Sequence, residues 1–130
     1  MSVAYWCIVV AALLPYAWIV IAKRSGGRYD NRDPRPWLAR QDNPLVQRAN
    51  AAHLNAFEAF APFAAGVLMA QAAGVAAAQV TTLALAFVAC RILHGICYVA
   101  GWHWLRSLAW LGGFASVLWL MVRAALALAA

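Results

Sequence analysis

Four long runs with little or no charge, Val3–Ala22, Ala59–Ala78, Gln79–Ala100 and Ser107–Ala129, dominate this 130-residue chain. Each approaches or exceeds the ~20 residues that a helix needs to cross a bilayer. Backbone groups in lipid must bond within their own segment, so the runs are read as four helices. Composition agrees: 66% of residues are apolar and 11% charged, where soluble domains carry about 25% charged residues. The expected fold is an all-α integral membrane protein of one domain. It is a four-transmembrane-helix bundle with helices over approximately 3–23, 44–73, 78–100 and 104–128, and a cytoplasmic loop over 24–43. The first run has no basic residue before it and exceeds the length of a signal-peptide core, so it is read as an uncleaved span.

The formal charge is +6, unevenly placed. Lys23, Arg24, Arg28, Arg32, Arg35, Arg40 and Arg48 face only Asp30, Asp33 and Asp42 in the first connection. The second connection, "QAAGVAAAQ", is uncharged, and the third, "AGWHWLRSL", carries Arg106. The positive-inside rule places the first and third connections in the cytoplasm and both termini outside it. Topology accounts for most of the basic residues, so nucleic acid is not an expected partner. Cys7, Cys90 and Cys97 lie in spans and read as small packing residues, with no disulfide framework.

The stretch "GGRYDNRDPRPWLARQDNP" reads as an irregular loop. Asn43 before Pro44 marks a helix start. The short connection at Gly74 makes helices two and three an antiparallel hairpin. Gly101 ends helix three, and Trp102, His103 and Trp104 fall at the interface, where tryptophan belongs. Gly112, Gly113 and Ser116 permit close helix approach.

Polar residues inside the spans are costly and point to a lined cavity or bundle interior. Asn55 and Glu58 are three apart on helix two, and Arg91, His94 and Tyr98 recur at i, i+3 and i+7 on helix three, so each set shares a face. Glu58 lies 16 residues before Gly74 and Arg91 17 after it; Asn55 lies 19 before and His94 20 after. Folding the hairpin therefore matches the stripes layer by layer, with Tyr98, Arg48 and Arg106 nearer the cytoplasm. One reading is a buried Glu58–Arg91 ion pair that orients the bundle. The other is a binding site open to the cytoplasm, which also gives Asn55, His94, Tyr98 and Arg106 a use. Cys90, His94 and Cys97 share a face, but without supporting ligand spacing no metal site is expected. His103 reads as surface, and His53 is left open.

The stretch "RANAAHLNAFEAFAPF", with Asn55-x-x-Glu58-x-x-x-Pro62-Phe63, resembles the second-helix motif of the MAPEG family, the membrane-associated proteins of eicosanoid and glutathione metabolism. "RILHGICY" resembles its third-helix motif, and "LRSLAW" the segment carrying its arginine at the start of helix four. The loop resembles that of small bacterial members. The resemblance spans residues 43 to 112. It implies a homotrimer with glutathione as co-substrate bound between neighbouring subunits, and location in a bacterial inner membrane. By position, Arg48, His53, Asn55, Glu58, Arg91, His94 and Tyr98 would bind glutathione, and Arg106 would stabilise the catalytic thiolate. Ala51 and Leu54 stand where well-studied animal members place arginines. The carboxylate clamp is therefore either incomplete or filled by Lys23, Arg24 or another loop arginine.

The function expected is a glutathione-dependent membrane transferase or peroxidase acting on a small lipophilic electrophile. A cation beside a thiol favours its nucleophilic thiolate. Two alternatives stand beside it: a non-catalytic member of the same family, and a small proton-coupled multidrug transporter using Glu58. The transporter reading is disfavoured by an arginine at the depth of the carboxylate.

Overall fold

A computed structural model describes residues 2–129 as helices joined by short turns and one longer loop. The helices are α1 (Ser2–Ser25), α2 (Pro34–Ala39), α3 (Pro44–Ala72), α4 (Ala77–Ala100) and α5 (His103–Ala129). Five helices are thus present where four were expected. The addition, α2, is a six-residue helix inside the segment read as irregular. Its prolines hide it in sequence, and tertiary packing holds it. Trp37 is buried, donates Nε1 to the Arg28 carbonyl at 2.9 Å and packs edge-on against Tyr29. A Cβ on Gly26 would come within 2.9 Å of the Trp37 ring, so glycine is needed beneath it.

The helix ends follow local chemistry. Asn43 caps α3 by accepting from the Leu45 amide at 2.9 Å, and its own amide nitrogen donates to the Ser25 carbonyl at 2.8 Å. One side chain therefore starts α3 and pins it to the end of α1. Gly74 and Gly101 end α3 and α4 with positive φ, of 74° and 80°. The amide following each glycine reaches back to a carbonyl of the last helical turn, Val75 to Ala70 and Trp102 to Cys97, as in a Schellman termination.

α3 packs against α1, α4 and α5, while α4 also meets α1 and α5. One core, at the end where α1 begins and α5 finishes, stacks Phe63 on Phe87 at 3.9 Å with Val67, Val80 and Leu120 around them. A second, at the loop end, gathers Ala22, Trp37, Val46 and Ala49. The outer surface is apolar: Trp6, Leu13, Leu111, Trp119 and Leu128 are all exposed. Such a surface suits lipid, where close packing rather than water expulsion drives helix association.

Three helices, α1, α4 and α5, are long and apolar enough to cross a membrane. α3 is long enough at 29 residues but is not among them. The run Ala59–Ala78 does not form one helix, because the chain leaves α3 after Ala72 and turns before Ala77. The rest of α3 carries Arg48, His53, Asn55 and Glu58.

Small residues set the helix spacing. A Cβ on Gly95 of α4 would lie 2.0 Å from the Trp18 ring of α1, and one on Gly112 of α5 would lie 2.9 Å from the Cys90 sulfur. Trp18 is a rigid ring held in the core by Ala52 and Ala56. Gly95→Ala should therefore destabilise the fold by about 1–3 kcal/mol, the usual cost of overpacking. Trp18→Leu should relieve much of it, as read by thermal unfolding in detergent. A Gly95→Ala protein as stable as the parent would contradict this packing.

Candidate functional site

Helix geometry brings the two polar stripes together, and α5 closes over them. Arg91 is only 4% exposed. Its Nη2 donates to Asn55 Oδ1 at 2.6 Å, and Asn55 Nδ2 donates to Glu58 Oε2 at a longer 3.4 Å. Asn55 thus stands between cation and carboxylate, with its oxygen towards one and its nitrogen towards the other. The expected Glu58–Arg91 ion pair does not form; among the described residues the ion pair is Asp30–Arg32, on the loop surface. The reason is positional. Glu58 sits on the exposed flank of α3, whereas half-buried Asn55 faces α4. The buried Arg91 Nε has no hydrogen-bond partner. An unmet donor on a buried cation is costly.

Two adjoining hollows open beside this group. The first, about 200 Å³, is lined by Asn55, Glu58 and Arg91 and by an apolar wall of Phe87, Trp110 and Phe114. Trp110 and Phe114 stack at 5.1 Å. Pro62 also lines this hollow, and having no N–H it cannot bond the Glu58 carbonyl four residues earlier. The second hollow, about 240 Å³, lies towards the loop end and is lined by Asn55, His94, Tyr98, Arg106 and Ser107. His94 is buried and meets Tyr98 edge-on at 5.4 Å, while the Arg106 guanidinium lies 4.4 Å over the Tyr98 ring. Asn55 and Trp110 border both hollows, which make one crevice.

Six of the eight sequence-predicted residues therefore converge: Asn55, Glu58, Arg91, His94, Tyr98 and Arg106. Arg48 and His53 do not join them. Arg48 Nε donates to the Val99 carbonyl at 3.0 Å, and its guanidinium lies beside Gly101. It serves the C-terminal end of α4, where a cation is favoured. His53 is two residues from Asn55, about 200° around the helix, and so faces the opposite flank. Its Nδ1 lies 2.7 Å from the Pro15 carbonyl of α1. A carbonyl only accepts, so Nδ1 carries the proton. His53 borders a separate hollow of about 570 Å³ with Lys23, Arg35 and Tyr16.

Sequence reasoning missed the apolar wall. Arg106, Trp110 and Phe114 recur at i, i+4 and i+8 on α5, a spacing that places them on one face. The signal was present but masked by the many other aromatics. If Asn55 satisfies Arg91, Asn55→Ala should cost about 1–3 kcal/mol by leaving a buried cation unpaired. Glu58→Gln should change stability by less than about 0.5 kcal/mol, as an exposed site does. Chemical unfolding of both variants checks this; a larger loss for Glu58→Gln would restore the direct ion pair.

The MAPEG family matches residues 3–126. No curated protein and no solved structure matches the chain. With spans long and apolar enough for a bilayer around a polar crevice, and a family match over nearly the whole sequence, this integral membrane protein belongs to the MAPEG family.

Proposed function

We propose that the chain is a glutathione-dependent membrane transferase or peroxidase that acts as a homotrimer on a lipophilic electrophile. The observation that carries the reading is the convergence of Asn55, Glu58, Arg91, His94, Tyr98 and Arg106 on one crevice with an aromatic wall. Family membership supports it. Glutathione brings an ammonium, two carboxylates and a thiol. Glu58 suits the ammonium. Arg91, which lines the crevice, suits a carboxylate, which guanidinium recognises well. Arg106, stacked on Tyr98, is the cation that lowers the thiol pKa and holds the thiolate.

The electrophile reaches the apolar wall of Phe87, Trp110 and Phe114, which opens beside the lipid-facing surface. The thiolate sulfur forms the new bond to carbon, the leaving group departs with its electron pair, and the thiol proton passes to water. His53 and Asn55 face opposite flanks of α3, so the hollow at His53 and the crevice at Asn55 serve one ligand only if a neighbouring copy brings its hollow alongside. This argues for an oligomer, and family membership makes that oligomer a trimer. The basic first connection is cytoplasmic, both chain ends lie outside the cytoplasm, and the membrane is a bacterial inner membrane. A cation exporter is less well served, since Arg91 occupies the same crevice as Glu58.

The test is glutathione binding by calorimetry, followed by conjugation of an aryl halide. Arg106→Ala should move the pH–rate profile for conjugation upwards: the cation holds the thiol pKa down, so without it more alkaline solution is needed for the same thiolate fraction. Binding without turnover across an electrophile panel would mark a non-catalytic member. Absence of binding would refute the proposal.

A further inference from the structure

The apolar limb of the crevice has one closed end. Its lining runs from Asn55 to Pro62 along α3 and from Trp110 to Val117 along α5, seven residues on each helix. At 1.5 Å per residue both lengths are about 10 Å. Beyond Pro62 the two helices meet. A Cβ on Gly66 of α3 would lie 3.4 Å from Leu120 Cβ and 3.6 Å from the Val117 carbonyl oxygen of α5. Phe63, Val67 and Leu120 are fully buried in the next layer, and Phe63 stacks on Phe87 from behind. Val117 and Phe87, 4% and 2% exposed, therefore floor the limb on a solid core.

The limb is also flat-sided and small. The Trp110 and Phe114 rings lie with their planes 15° apart. The volume of about 200 Å³ falls below the roughly 300–1,000 Å³ of sites that take drug-sized ligands. The three backbone bonds of an extended residue span about 3.3–3.6 Å, so a chain advances about 1.2 Å per bond and about eight bonds fill the limb. A longer tail must bend out sideways into the bilayer. There it gains nothing, because lipid tails are as apolar as a leucine. An electrophile that arrives from lipid is thus selected by fit and not by greasiness, and a ring stacked on aromatic faces gains beyond its buried area.

We infer that Val117, with Phe87 beside it, is the stop that sets the length of the electrophile, so that the crevice takes a compact flat arene and rejects a fatty-chain substrate. This deepens the function proposed above and rests on it. The ring lies against Trp110 and Phe114, with its reacting carbon towards Arg106 and its far substituent towards Val117. For an aryl halide the thiolate sulfur bonds to the ring carbon that carries the halogen. The carbon–halogen bond then breaks, halide leaves with the electron pair, and the thiol proton has passed to water. A substituent opposite the halogen points at the floor, so its length is read directly by Val117.

The test is a series of alkyl 4-chloro-3,5-dinitrobenzoates, from methyl to dodecyl, in which the reacting carbon stays constant and only the opposite tail grows. kcat/KM with glutathione is measured on the purified oligomer and divided by the uncatalysed rate in the same micelles. In the parent the ratio should fall by about tenfold or more once the ester exceeds about four carbons, where ring and tail together fill the limb. Val117→Ala should move that break to esters about one or two carbons longer, and Val117→Ile to shorter ones. Leu118→Ala, on the exposed face of α5, should keep the parent's break. A ratio that stays level or rises through dodecyl in the parent refutes the inference and leaves the proposed function standing, since the tail then lies in lipid. A break that neither Val117 variant moves, in protein that still binds glutathione, also refutes it. The pair of variants guards against one that does not fold. If the parent conjugates none of the esters, the transferase reading and this inference fall together.

Discussion

The hydrogen bond from Arg91 to Asn55 governs the arrangement of the helices around it. A guanidinium within a spanning helix costs roughly 2.5–3.5 kcal/mol on insertion scales even before geometry is counted. The chain meets that cost by turning Arg91 away from lipid and laying its stem along Gly113 of α5, where a Cβ would lie 3.4 Å from Cδ. Asn55 then answers one nitrogen at 2.6 Å. Both contacts demand that α3, α4 and α5 meet at one depth. The hairpin at Gly74 supplies that register, and the glycines of α5 allow the approach. A fold built only for stability would place an apolar residue at this position, since well-packed apolar replacements for buried ions are often neutral or better. A buried Arg91 with an unanswered Nε is what the proposed ligand site would retain at the expense of stability.

The crevice follows from that contact. Asn55 separates Arg91 from Glu58, so the two charges stay available to a ligand rather than neutralising one another. The aromatic wall of α5 gives the same space an apolar side. In the proposed function, a zwitterionic peptide and a lipophilic partner meet at this boundary, each kept in the medium that suits it. α1 contributes differently. It packs on α3 through Trp18 and through the Pro15 carbonyl at His53. The separate hollow beside His53 lies on this flank.

Much of this was legible in the sequence, and for definite reasons. Helix faces repeat every 3.6 residues, so Asn55 and Glu58, and Arg91, His94 and Tyr98, could be assigned to faces and matched across Gly74. Caps are local, so Asn43-Pro44 and Gly101 marked ends within a residue or two. What depended on side-chain direction and on neighbouring helices was not legible. The reach of Arg48 to Val99, the turn of His53 towards Pro15 and the insertion of Asn55 between Glu58 and Arg91 are of that kind. The helix α2 was hidden because tertiary packing of Trp37, not propensity, holds it. The close pairing of Trp18 with Gly95 was hidden because either residue alone is ordinary. Family resemblance supplied glutathione as the proposed ligand; residue spacing alone supplied only a polar crevice.

Arg91 thus fixes how the helices meet, but it is kept for a ligand and not for stability. Arg91→Met, which keeps an unbranched apolar stem and removes the charge, separates these roles when thermal stability and glutathione binding are measured on the same purified oligomer. The expected protein is at least as stable as the parent and no longer binds glutathione. A variant that unfolds or dissociates, or one that still binds glutathione as the parent does, would contradict it.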